Sequence, residues 1–189
     1  MVALGGIANI GIYAVVTLLT PFIVDIMQLE AALLGILHSI WSSGYIVGSI
    51  LMAKNIIRLP SRKILFFCLF AVGTINILMS QSTKEIVWLP YTLIFLWGIF
   101  IALFNITYSH LCIKNTDKEI MGRTSSLRIL ILQGAGAIGA FGGSALATSI
   151  GIQQTFVMAG LIPISAALIY FFFLSSIETL EKKPMGAVI

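Results

Sequence analysis

Six long apolar runs divide this chain, at about residues 3–24, 31–53, 64–80, 86–110, 125–149 and 154–176, with short connectors between them. A helix needs roughly 20 apolar residues to cross the hydrocarbon of a bilayer, so each run predicts one transmembrane helix. Barrel strands would be about ten residues long and would alternate strictly, which these runs do not. A partial sheet in lipid would also leave backbone N–H and C=O groups without partners. The pattern predicts an all-α membrane protein with one six-helix domain over residues 1–176 and a tail at 177–189.

Residue size varies along the helices in a way that separates them into types. On the second, Gly35, Ser39, Ser42, Ser49 and Ala53 share one face, and Gly44 and Gly48 form a further small pair four residues apart. The fifth carries Gly134, Gly136, Gly139, Ala140, Gly142, Gly143 and Ala147. Small residues at such spacing let helix backbones approach closely and gain dispersion contacts that lipid would not supply. These two helices are expected to meet protein, either another bundle or their neighbours within this one. The third and sixth, with Phe66, Phe67 and Phe70 and then Tyr170, Phe171, Phe172 and Phe173, are expected to face lipid. Pro163 lies inside the sixth helix and predicts a kink, whereas Pro60 suits a turn in a connector.

Polar side chains within hydrocarbon are costly and should face a cavity or another helix. Asn9, Tyr13, Thr17 and Thr20 form one stripe on the first helix, and His38, Trp41, Ser42 and Tyr45 one on the second. Trp97, Asn105 and Tyr108 on the fourth helix and Gln133 on the fifth complete the set. Amides and amphipathic aromatics without fixed charge suit a cavity for an apolar or amphiphilic small molecule. The competing reading is hydrogen bonding between helices with no solute involved.

Composition agrees: 59% of residues are hydrophobic and 10% charged, against about 25% charged in soluble domains. The net charge of +4 comes from connectors, not from a basic patch with interleaved aromatics, so no nucleic-acid partner is expected. Lys54, Arg58, Arg62, Lys63, Lys114, Lys118, Arg123, Arg128, Lys182 and Lys183 fall at one end of the bundle, and only Lys84 at the other. Basic connectors are retained on the cytoplasmic side during insertion, which predicts a multi-pass protein with both termini cytoplasmic. Glu30 precedes the second helix, where a helix dipole favours an acid. No carboxylate falls mid-helix, so an intramembrane ion-coupling acid is not expected. A secretory leader is not expected, because no basic stretch precedes the first apolar run. Cys68 and Cys112 read as inert thiols, and His110 beside Cys112 lacks the partners for a catalytic or metal site. No cofactor, metal or enzymatic activity is expected.

The run Asp117-Lys118-Glu119-Ile120-Met121-Gly122-Arg123-Thr124-Ser125-Ser126-Leu127, followed by a glycine-rich helix, Ile150-Gly151 and Phe156, carries a family likeness. It resembles the connector before the penultimate helix in the macrolide-efflux and enterobactin-exporter branch of the major facilitator superfamily. Arg62-Lys63 after Gly48 resembles a degenerate copy of that family's basic loop motif, with Lys54 and Asn55 where an acid is expected and Ser61 in place of a glycine. Arg62, Lys63, Gly122 and Arg123 serve either that motif or only as topology anchors.

The resemblance aligns the chain with the family's C-terminal six helices and implies a half bundle of 3+3 inverted repeats. It implies that Gly35, Gly44, Gly48, Gly136, Gly139 and Gly143 pack against the other half. It also implies that Asn9, Tyr13, Thr17, His38, Trp41, Tyr45, Trp97, Asn105, Tyr108 and Gln133 line a central cavity. The expected function is export of amphiphilic small molecules by alternating access in a bacterial plasma membrane. The expected partners are the lipid bilayer, a solute, and an N-terminal six-helix half or a second copy. The alternative is a non-transporting membrane partner or an inactive remnant.

Overall fold

The computed structural model describes residues 2–29, 33–54, 56–57, 59–83, 86, 88–114, 116 and 119–174. Glu30, Asn55, Arg58, Lys84, Asp117, Lys118, Lys182, Lys183 and the 177–189 tail lie outside them. The helices are α1 (Val2–Pro21), α2 (Leu33–Ala53), α3 (Ser61–Ser80), α4 (Trp88–Lys114), α5 (Met121–Ile150) and α6 (Ile152–Ile169). All six are long and apolar enough to span a bilayer, and no strand occurs among the described residues.

Local sequence explains the helix ends. Pro21 has no N–H to donate, and beyond it the chain widens into a π turn over Phe22–Ile26. There the Met27 N–H donates to the Phe22 carbonyl at 3.0 Å. Gly151, at φ 88°, divides α5 from α6, a conformation side chains other than glycine rarely adopt. The Gly151 N–H closes α5 on the Ala147 carbonyl at 3.0 Å, while its own carbonyl opens α6 by accepting from Thr155 at 3.1 Å. Helix α6 continues through Pro163, which is fully buried.

Packing follows an internal two-fold. Helix α1 lies along α5 and against α6, while α4 lies along α2 and against α3. The α3 and α6 helices cross each other behind them. Exchanging the first three helices for the last three maps this pattern onto itself, so the six form 3+3 repeats. At the α3–α6 crossing a Cβ on Gly73 would stand 2.5 Å from the Gly160 carbonyl oxygen, and one on Gly160 would stand 2.6 Å from that of Gly73. Two glycines on the symmetry-related helices thus remove the side chains that would hold the repeats apart.

The other buried glycines do the same work within the chain. Cβ atoms on Gly44 and Gly98 would strike the Phe95 and Trp41 carbonyls, and one on Gly48 would lie 2.6 Å from the Ile99 carbonyl, all at the α2–α4 contact. At the α1–α5 contact Gly139 faces the Ile10 carbonyl, Gly143 faces Ala14 and Gly136 faces the Tyr13 ring. The expected packing of Gly44, Gly48, Gly136, Gly139 and Gly143 against another half is therefore corrected, because helices of this same chain occupy that space. Gly35 is different, since a Cβ there would meet nothing within 4 Å.

Burial is uneven in a way that separates the ends of the array from its middle. Only 17% of the spanning residues of α2 and of α5 are buried, against 44% in α1, α4 and α6 and 56% in α3. The expectation of a lipid-facing α3 and α6 is corrected for one face of each, and Tyr170, expected to face lipid, is buried. Phe67, Phe70, Phe171 and Phe172 are exposed, but Leu65, Cys68, Leu69, Val72, Phe156, Ala166 and Ala167 form core with α1 and α4.

Candidate functional site

The α2–α4 contact brings the aromatics together. His38, Trp41 and Tyr45 stand on one side of α2 at spacings of three and four, and Gly98 lets α4 come close enough to set Trp97 against Trp41. The two indole centroids are 6.3 Å apart, with Tyr45 6.2 Å from Trp41 and His38 edge-on to it at 6.5 Å. Across from them, the Tyr13 ring lies over Gly136, and its hydroxyl donates to Gln133 Oε1 at 3.1 Å. Asn9 Nδ2 donates to the Leu132 carbonyl at 3.0 Å. Part of the α1 polar stripe therefore ties α1 to α5.

A cavity of about 420 Å³ lies between these groups, lined by Asn9, Ile12, Tyr13 and Val16 of α1, Trp41 and Tyr45 of α2, and Trp97, Ile101 and Asn105 of α4. No carboxylate, lysine or arginine is among them. Its size is that of a small-molecule site, and its lining offers π faces, amides and phenols rather than charge. Among the described residues, His, Cys, Asp and Glu nowhere gather in a group able to hold a metal ion.

A family model described as Major Facilitator Superfamily matches residues 1–187. The chain belongs to this superfamily. It is a multi-pass membrane protein of the transport class, and its six helices fit a major facilitator half bundle. No curated protein and no solved structure matches it.

In this major facilitator bundle the remaining expected cavity residues take other places. Tyr108 is corrected: it is buried in the α1–α3–α4–α6 core, stacked on Phe104 at 5.6 Å and covered by the Arg128 guanidinium at 5.8 Å. One helical turn from Asn105, it follows the curve of α4 away from the cavity and under Gly5. Thr17 is exposed and donates to the Tyr13 carbonyl of its own helix at 2.9 Å. Gln133 supports Tyr13 from outside the lining. His38 belongs to a second, smaller cavity with Val15, Val16, Leu19, Leu37, Trp41, Asn76, Met79, Ile94 and Trp97.

Asn76 in that group was not among the expected residues. It is fully buried on α3, a helix expected to face lipid. The signal was present, because an amide inside an apolar run is costly unless it is partnered. The loop residues Arg62 and Lys63 open α3, while Gly122 and Arg123 open α5. Lys63, Gly122 and Arg123 are exposed, and Arg62 is half-buried.

Proposed function

We propose that this chain is one half of a secondary transporter that exports amphiphilic, largely uncharged small molecules by alternating access. The observation that carries this is the cavity of about 420 Å³ bounded by Asn9, Tyr13, Trp41, Tyr45, Trp97 and Asn105 with no formal charge in its wall. Aromatic faces hold an apolar body, and a few amides and phenols orient a polar group. Export, rather than uptake, follows the likeness of the Gly122-Arg123 connector to efflux proteins.

The low burial of α2 and α5 supports a partner bundle, because these helices close the ends of the array and leave most of their surface open. The occupant we infer is a second six-helix bundle, either an N-terminal half or another copy, rocking against this one around the cavity. Arg62, Lys63 and Arg123 support a cytoplasmic placement of both termini. Each lies in the first turn of a helix, where the dipole disfavours a cation, so retention of positive charge during insertion is the better account.

The test is efflux of a fluorescent amphiphile from cells expressing the chain alone and with a matching N-terminal half. Efflux with the pair and not with the chain alone is expected. Equal efflux from both removes the need for that half, and no efflux from either rejects transport of this class.

A further inference from the structure

Four hydrogen-bond donors carried by residues that line the central cavity are withdrawn from its wall. The Asn9 amide faces α5 with its nitrogen, because what it meets there is the Leu132 carbonyl, an acceptor, at 3.0 Å. That partner fixes which end of the amide is which and leaves the oxygen as the free end. The Tyr13 hydroxyl hydrogen is committed to Gln133 Oε1 at 3.1 Å, so toward any further partner this hydroxyl is an acceptor. The indole N–H groups of Trp41 and Trp97 are buried. These two residues give the cavity ring surface and no donor.

What remains is biased toward acceptors. Asn9, Tyr13 and Tyr45 are half-buried and Asn105 is exposed, and all four line the cavity of about 420 Å³. The Asn9 oxygen is not closed off as the indole nitrogens are. All four side-chain oxygens can accept, whereas only Tyr45 and Asn105 keep a donor group not engaged by α5. The faces of the Tyr13, Trp41, Tyr45 and Trp97 rings carry the negative part of the aromatic quadrupole and favour the same kind of group. With no carboxylate in the wall, these acceptors are neutral and match an uncharged N–H better than a hydrated cation.

We propose that the central cavity selects amphiphiles whose polar group is an N–H donor, received by the Asn9 amide oxygen and the Tyr13 hydroxyl oxygen one helical turn apart on α1. This rests on the proposed function and narrows its solute from amphiphiles in general to those with an uncharged amine or amide N–H. An ether or ester in the same place would set lone pairs against lone pairs. Gln133, which does not line the cavity, is a positioning residue that sets the direction of the Tyr13 hydroxyl.

The test uses the full chain in lipid nanodiscs and two uncharged probes of nearly one shape, N-phenyl-1-naphthylamine and 1-phenoxynaphthalene, in which an ether oxygen replaces the bridging N–H. Binding is measured by equilibrium dialysis, with empty nanodiscs subtracted. The amine is expected to bind about fivefold or more tightly than the ether, the ratio of one buried hydrogen bond. Combining Asn9→Leu with Tyr13→Phe is expected to abolish that ratio while both probes still bind. Gln133→Leu, which frees the Tyr13 hydrogen for the ether, is expected to lower it. Equal affinity of the two probes for the unaltered chain, or tighter binding of the ether, overturns the proposal and leaves the cavity reading in place. So does a ratio that survives the double substitution or Gln133→Leu. If the double variant does not fold, Tyr13→Phe alone, which keeps the ring and removes the oxygen, must lower the ratio; an unchanged ratio overturns the proposal. Binding of neither probe to the unaltered chain sinks the cavity reading and the donor selection with it.

Discussion

Gly139 and Gly142 stand three residues apart on α5 and meet opposite demands. A Cβ on Gly139 would enter the Ile10 backbone of α1, whereas one on Gly142 would meet nothing within 4 Å. Overpacking a close helix contact costs about 1–3 kcal/mol, while glycine to alanine in an open helix position gains up to about 1 kcal/mol through lost chain entropy. Gly139→Ala is therefore expected to lower the thermal midpoint of the purified chain in detergent. Gly142→Ala should leave it unchanged or raise it. Equal effects of the two would show that the α1–α5 contact is looser than this geometry requires. The same distinction separates Tyr108 from Asn105: both are polar residues on α4, but one is in the core and the other is at the cavity.

Helix α3 packs on both α4 and α6, and its closest approach is at the α6 contact. With Gly73 and Gly160 each facing the other's carbonyl, a methyl group at either must push α3 and α6 apart. Once one methyl has done so, the second meets less resistance. Gly73→Ala and Gly160→Ala are each expected to destabilise the bundle by about 1–3 kcal/mol. Combined, they should cost less than their sum by about 0.5 kcal/mol or more, the range seen for residues in contact. A double-mutant cycle on unfolding in mixed micelles measures that coupling, and strict additivity would mean that the two sites relax independently. The symmetry-related contacts α1–α5 and α2–α4 each use glycines of the outer helix against the backbone of the inner one.

For the whole molecule, α2 and α5 are the least buried helices. Phe141 is 82% exposed and Ile46 59%, whereas Gly44 and Gly139 are enclosed by α4 and α1. In a background with Cys68 and Cys112 replaced by serine, cysteines at Ile46 or Phe141 are expected to crosslink to the partner bundle. Cysteines at Gly44 or Gly139 are expected not to. Crosslinking of two identical chains through Phe141 would identify the partner as a second copy. Orientation has its own check: a cysteine at exposed Gln81 should react with an impermeant maleimide in intact cells, and one at exposed Arg123 only after lysis. The reverse pattern would overturn the placement of both termini in the cytoplasm.

Six membrane-length helices and the segregation of basic residues into alternate connectors were legible in the sequence, because the bilayer's thickness and lack of water impose a length and composition that no neighbour can alter. The sequence also marked Asn9, Tyr13, Trp41, Tyr45, Trp97 and Asn105, since polar groups in hydrocarbon must find a cavity or a partner. Tertiary structure alone decided which of two small faces on one helix looks inward. Gly35 and Gly44 differ little as sequence, yet one lies open and the other lies against the Phe95 backbone. Helical spacing fixes which residues share a face and is silent on what that face meets. For the same reason Asn76 was assigned to a lipid-facing helix, and only the packing of α3 on α4 and α6 buries it.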